Sequence, residues 1–200
     1  MTAKEWIDKR LSFLTGYMTV AAAHQLYGLL VSEKTPINGV EIGVAGGRSL
    51  ITAALAARDG PGGKVVGIDA YDVDVASEFE QNSETIDWWR TKSTVARERL
   101  QPPREINHIL HLQAHCELLI AKSQDVAERF SNLTYLHVDG NHCRQAVKRD
   151  LDNYLGRVAS GGIIRLDNVG WEGVEAEADR VRDVCNFVDG EADHEIWRKR

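Results

Sequence analysis

Two hundred residues suffice for one domain with a sizeable core and fall short of two full domains joined by a linker. With 43% hydrophobic and 27% charged residues, the composition excludes a disordered chain, a collagen-like fibre and a disulfide scaffold. The 24 Lys and Arg against 30 Asp and Glu leave a formal charge of -6, which disfavours nucleic acid as a partner and favours small molecules.

No apolar run approaches the roughly 18 residues that a membrane span needs, so no membrane partner is expected. The N-terminal segment carries Glu5, Asp8, Lys9 and Arg10 where a signal peptide would need an unbroken apolar centre. A cytoplasmic location follows as an expectation. Cys116, Cys143 and Cys185 are widely spaced with no CxxC pair, which reads as reduced thiols used in packing.

In chain order, the pattern first predicts a helix over 16–33, with Val20, His24, Tyr27, Leu30 and Val31 on one face, covering a sheet edge or a ligand. The β-type run VEIGV (40–44) follows, then a helix over 48–58 and a second run, KVVGIDAY (64–71). The polar stretch 72–85 has no clear periodicity and suits a lid. A helix over 87–100 leads to Pro102-Pro103, which separate it from a third run, INHILHL (106–112), in which His108 and His111 would point to opposite faces. A helix over 115–130, the run LTYLHVD (133–139), a helix over 143–157 and the run GIIRLDNV (162–169) continue the alternation. A helix over 172–187 and one strand over 194–198 complete it; the family that the chain resembles, named below, implies a closing antiparallel strand pair, against which the C-terminal edge is short by a strand that a homodimer would cover. Strands alternating with crossover helices define an α/β doubly wound, mostly parallel sheet.

In such sheets ligands bind beyond the carboxyl ends of the strands. The first run ends in Gly43-Val44-Ala45-Gly46-Gly47-Arg48-Ser49, a turn with small residues that lets backbone approach a ligand at a helix N-terminus. The dinucleotide pattern GxGxxG is absent, which weakens a nicotinamide oxidoreductase reading. Asp69, ending the second run, suits the two hydroxyls of a ribose, and Glu41, inside the first, needs a partner such as a ligand's ammonium group. Gln113 and Ala114 would follow the third strand, with His115 either flanking a bound base or capping a helix. Asp139 and the pair Asp167-Asn168 end adjacent strands and form an all-oxygen donor set suited to Mg²⁺ or Ca²⁺. Their bland alternative is helix capping. His142, three residues past Asp139, suits proton abstraction near neutral pH. His24, His137 and His194 stand isolated. Trp88, Trp89 and Trp171 would wall an acceptor pocket. The Arg and Lys clusters, Lys148-Arg149 among them, read as solvated charge.

From about Gly39 to Trp171 the chain resembles the class I S-adenosylmethionine-dependent methyltransferases, and within them the small metal-dependent O-methyltransferases. VEIGVAGGRS resembles their cofactor motif, GIDAYD their ribose-binding strand end, and HVDGNHCRQAVKRDLDNYLGRVASGGIIRLDNV their acceptor half. The resemblance implies one methyltransferase domain over 1–200, with a helical cap (1–38), a cofactor half (39–100) and an acceptor half (101–200). It implies S-adenosylmethionine held by Glu41, Gly43, Gly46, Gly47, Ser49, Asp69, Gln113, Ala114 and Asp139, and Mg²⁺ held by Asp139, Asp167 and Asn168. His142 falls where catechol and caffeoyl-coenzyme A methyltransferases place a basic lysine, and the DGNH wording is closer to bacterial sugar and antibiotic-tailoring enzymes. A hydroxyl of a small molecule is the acceptor so implied. A non-catalytic binding module on the same fold is the competitor from another class; clustered Asp139, Asp167 and Asn168 argue against it.

Overall fold

The computed structural model describes residues 1–14, 16–80, 82–87, 90–91, 110–191 and 193–200. Seven strands form one sheet: β1 (Ile37–Ile42), β2 (Gly63–Asp69), β3 (Cys116–Ile120), β4 (Leu133–Val138), β5 (Val158–Asp167), β6 (Cys185–Glu191) and β7 (His194–Lys199). Their order is β3-β2-β1-β4-β5-β7-β6, parallel except at β7, which runs antiparallel to both β5 and β6. The chain reverses direction of winding at β1 and β4, and the crevice of a doubly wound sheet opens there.

One face carries α1 (Ala3–Arg10), α2 (Val20–Val31) and α3 (Arg48–Asp59). The α3 sequence is apolar nearly all round, because it lies between the sheet and α2, and Leu50, Ile51, Ala53, Ala54, Leu55 and Ala57 are all buried. The other face carries α6 (Arg144–Tyr154) and α7 (Glu172–Arg182), whose Val147, Leu151, Val174, Ala178 and Val181 pack on Leu136, Val138, Ile164 and Leu166. Two short helices, α4 (Val73–Ala76) and α5 (Ser123–Val126), follow β2 and β3. The Arg48 side chain donates from Nε to the Leu14 carbonyl at 2.8 Å and from Nη1 to that of Met18 at 3.0 Å, fastening the segment before α2 across the start of α3.

Four expectations change. The third strand is Cys116–Ile120, inside the stretch predicted as a helix, and His111 lies in a turn at φ 56°. Of the predicted run 106–112 only 110–112 lie within the described residues, and most of the helix predicted over 87–100 lies outside them. The last helix stops at Arg182 and β6 follows, so the C-terminal edge is complete. The buried face of α2 is Ala22, Ala23, Leu26 and Leu30, whereas Val20 is exposed and His24 and Tyr27 reach out to Asp8 and Asp59. Small residues face α3 there because two helices stacked over one sheet leave little room. The stretch 72–85 is partly helical: Asp72 caps α4, and Asn141 Nδ2 donates to the Ala76 and Glu78 carbonyls at 2.9 and 2.8 Å, holding the segment against the cleft.

Candidate active site

A cleft of about 570 Å³ opens over the carboxyl ends of β1, β2, β4 and β5. Its floor is shaped by Gly43, whose φ is +83° and whose missing side chain matters: a Cβ there would fall 2.0 Å from the Asp139 carbonyl oxygen. Adjacent parallel strands end side by side at this point, and only glycine lets them. Gly43→Ala is expected to destabilise the fold by about 2–4 kcal/mol, combining positive-φ strain with a backbone collision. A urea titration with an unchanged midpoint would contradict this.

The turn after Gly43 is tied to β2 through Asp69. Its Oδ2 accepts from the Val44 and Ala45 N–H groups at 2.9 and 3.0 Å, and its Oδ1 from the Tyr71 N–H at 2.8 Å. Burial raises the Asp69 pKa, and these three backbone donors oppose the rise. Tyr71 closes the loop by donating its hydroxyl to the Ala45 carbonyl at 2.8 Å. Gly43, Val44, Ala45, Ser49 and Asp69 line the cleft; Gly46 and Gly47 are buried in the turn behind it, and Gly47 at φ 87° caps α3.

Glu41 does not face the cleft. It is fully buried, accepts from Ser49 Oγ at 2.8 Å and lies 3.2 Å from His137 Nδ1. The expected ammonium ligand is replaced by a protein partner, because Glu41, His137 and Arg165 are register neighbours on β1, β4 and β5 and point to the same face. His137, which looks isolated in sequence, is thus central. Its Nε2 lies 3.2 Å from Asp167 Oδ2, an ion-pair contact without full hydrogen-bond geometry. Burial alone would lower the His137 pKa, but Asp167 and Glu41 on its two sides outweigh it and push the value up to about 10. The signal in the sequence was charge at inward positions of strands that are otherwise apolar.

Asp139, Asp167, Asn168, His142 and Trp171 all line the cleft, as the strand-end argument requires. His142 Nε2 is 3.4 Å from Asp139 Oδ1, and its ring meets the half-exposed Trp171 edge-on at a centroid distance of 5.0 Å. Asn168 adopts φ 59°, a conformation that asparagine tolerates better than most residues. Burial and the neighbouring Asp167 charge raise the Asp139 pKa.

The metal expectation meets a different arrangement. Ligand-capable atoms of His137, Asp139 and Asp167 lie within 4.8 Å of one another. Mg²⁺ requires oxygen ligands at about 2.0–2.1 Å in octahedral geometry. Yet Asp167 Oδ1 accepts from Arg165 Nε at 2.8 Å, and its Oδ2 lies 3.2 Å from His137 Nε2, so an ion bonded to Asp167 would compete with a guanidinium and a ring nitrogen for the same carboxylate. Burial would raise the Asp167 pKa, but His137 and Arg165 outweigh it and hold the carboxyl well below its usual range. The set Asp139, Asp167 and Asn168 as arranged does not fit a hard divalent ion.

The shift of β3 relocates the far end of the cleft. Gln113 and Ala114 precede β3, and the adjoining His115 bonds through Nδ1 to the Gly63 carbonyl at 2.8 Å, at the end of the sheet opposite the cleft. Ala121, Lys122, Ser123 and Gln124, just past β3, line the cleft instead, with Arg149 and Asp150 of α6. The only cue in the sequence was the short, mostly apolar run CELLI, too brief to separate a strand from a helical turn. Arg149 is no merely solvated charge: it bonds Glu78 at 2.9 Å and lies over the Phe79 ring. Trp88 and Trp89 lie outside the described residues.

Asp150 is buried, with Ser123 Oγ donating to it at 2.5 Å, and burial pushes its pKa up to about 6. The native state therefore keeps a proton that the unfolded chain releases near the ordinary value, and stability falls as pH rises from about 4 through 6. Asp150→Asn is expected to be more stable than the parent at pH 7.5 by up to about 3 kcal/mol, with the gap closing near pH 4. Equal urea midpoints at pH 7.5 would refute this.

A methyltransferase-domain family model matches residues 40–169. The chain belongs to this methyltransferase family, and its sheet is that of the class I, S-adenosylmethionine-dependent enzymes. Among solved structures it is similar to the O-methyltransferase NovP (16% identity, TM-score 0.67, covering 90% of this chain and 80% of that one). It is also similar to an O-methyltransferase from Bacillus cereus in complex with SAH (14%, TM-score 0.59, 98% and 90%). A third is CalS11, a TDP-rhamnose 3'-O-methyltransferase of calicheamicin biosynthesis (15%, TM-score 0.58, 98% and 86%). No curated protein matches the chain. Among the described residues no helix is long and apolar enough to cross a membrane.

Proposed function

We propose that the protein transfers a methyl group from S-adenosylmethionine to a hydroxyl of a small molecule, a sugar, phenol or related natural product. The observation that carries this reading is the His142–Asp139 pair at the end of β4, opening on the same cleft as the Asp69-tethered glycine turn. The methionine end of the donor would lie over Gly43, Val44 and Ser49, and the adenosyl end would extend past Asp69 toward Ser123 and Gln124. One Asp69 Oδ1 lone pair would serve a ribose hydroxyl, since among the described residues that oxygen accepts only from Tyr71. The division into a cap over 1–38, a donor half and an acceptor half is part of the same reading.

An acceptor oxygen attacks the methyl carbon as the carbon–sulfur bond breaks; the electron pair goes to sulfur, leaving a neutral thioether. The proton on the acceptor passes to the His142 imidazole, which Asp139 orients. Holding nucleophile and methyl group in line supplies much of the rate. Phe79, Asn141, His142 and Trp171 line an adjoining hollow of about 390 Å³, where the acceptor's ring would rest. The similarity to an enzyme named for a TDP-rhamnose acceptor supports a sugar. The acidic net charge supports a small-molecule enzyme that acts without nucleic acid, and a cytoplasmic location with no membrane partner is part of the same reading. The exposed Phe187 and Val188 on edge strand β6 support a homodimer.

The test is calorimetry with S-adenosylhomocysteine, followed by an acceptor panel scored for its release from S-adenosylmethionine. Micromolar binding and turnover on one acceptor class are expected. Binding of NAD with no response to either adenosyl ligand would overturn the donor assignment, and donor binding without turnover on a broad panel would favour a binding module.

A further inference from the structure

The side chain of Arg165 has no role in the mechanism above, yet it is only 2% exposed, on a strand whose other inward residues are apolar until Asp167. A buried guanidinium is costly unless its charge and donors are matched. Asp167 matches one donor, Nε, at 2.8 Å. Nη1 is buried with no hydrogen-bond partner among the described residues, and Arg165 lines the cleft beside Asp139 and Asn168. Leaving a buried charged donor unpaired is costly, so the position calls for a partner that none of the described residues provides.

We infer that Arg165 is the fixed cation of the acceptor site, standing where a divalent metal would otherwise be needed, and that its free guanidinium edge faces negative charge on the acceptor oxygen or on a carboxylate beside it. Three observations converge. Arg165 Nε bonds Asp167 Oδ1 and His137 Nε2 lies 3.2 Å from Oδ2, so both oxygens of the carboxylate expected to hold a metal already face nitrogen atoms of the chain. The guanidinium is delivered by the strand that ends at the site, which makes it rigid. Its remaining donors form part of a planar fork suited to oxyanions. Preorganised positive charge next to a developing alkoxide does electrostatically what a Lewis acid would do, without an ion to bind or lose.

The inference rests on the methyl-transfer reading, but its first test does not need an acceptor. Mn²⁺, followed by electron paramagnetic resonance, is titrated into the full chain and into Asp139→Asn. No Asp139-dependent site up to millimolar Mn²⁺ is expected; a site that Asp139→Asn removes would overturn the inference while leaving methyl transfer intact. On the acceptor found by the panel, excess EDTA should leave turnover unchanged, and loss restored by Mg²⁺ would again overturn it. Arg165→Met should lower kcat about 10²- to 10³-fold, as for the loss of one preorganised donor, with S-adenosylhomocysteine affinity within about twofold of the parent. A kcat within twofold of the parent would remove Arg165 from the site. Loss of S-adenosylhomocysteine binding by the parent chain itself would instead count against the donor assignment, so the two failures are distinguishable.

Discussion

His142→Ala is expected to lower turnover about 10²- to 10⁴-fold, the span for losing a general base, while S-adenosylhomocysteine binds as before. The imidazole is well placed for this role. It lines the cleft between β4 and α6, with Nε2 3.4 Å from the Asp139 carboxylate and one ring edge against Trp171, so its orientation is held from two sides. A phenol or alcohol is a weak nucleophile while protonated, and in this cleft a neighbouring base must accept the proton as the carbon–oxygen bond forms. Steady-state kinetics on the acceptor found by the panel provide the check. A rate unchanged by the substitution would move the base to Asp139, whose pKa is raised by burial and by the charge of Asp167.

Asp69→Ala should weaken the adenosyl ligand by about 1.5–3 kcal/mol, roughly 10- to 150-fold, and should destabilise the fold as well. One carboxylate accepts from Val44, Ala45 and Tyr71, so its removal orphans three backbone donors that together shape the glycine turn. Affinity would fall because the turn loses its form, in addition to any direct contact with a ribose. Asp69→Asn separates the two effects: its single carbonyl oxygen can keep the Val44 and Ala45 bonds, while its amide cannot accept from Tyr71. Calorimetry combined with urea unfolding reads both. Wild-type affinity in Asp69→Ala would refute the assignment of this strand end to the donor site.

Much of the architecture was determined by sequence alone. Apolar runs bounded by glycine and proline locate β1, β2, β4 and β5 within a few residues, since a buried parallel strand must be apolar and its turn must not be. The same logic marks Asp69, Asp139, Asp167, Asn168 and His142 as lining residues, because ligands meet strand ends. Periodicity misplaced β3, since CELLI is too short to distinguish a strand from a helical turn, and it merged β6 into α7 because Cys185-Asn186-Phe187 continues a helical pattern. Pairing with β2 and β7 decided both. Only the tertiary structure could show that Glu41, His137 and Arg165 are neighbours: they are 96 and 28 residues apart along the chain and adjacent only through strand register. Charge in a buried strand is costly until a partner is found, and its partners here lie on other strands, so the physical reason for these residues, and for the cation beside Asp167, exists only once the sheet has formed.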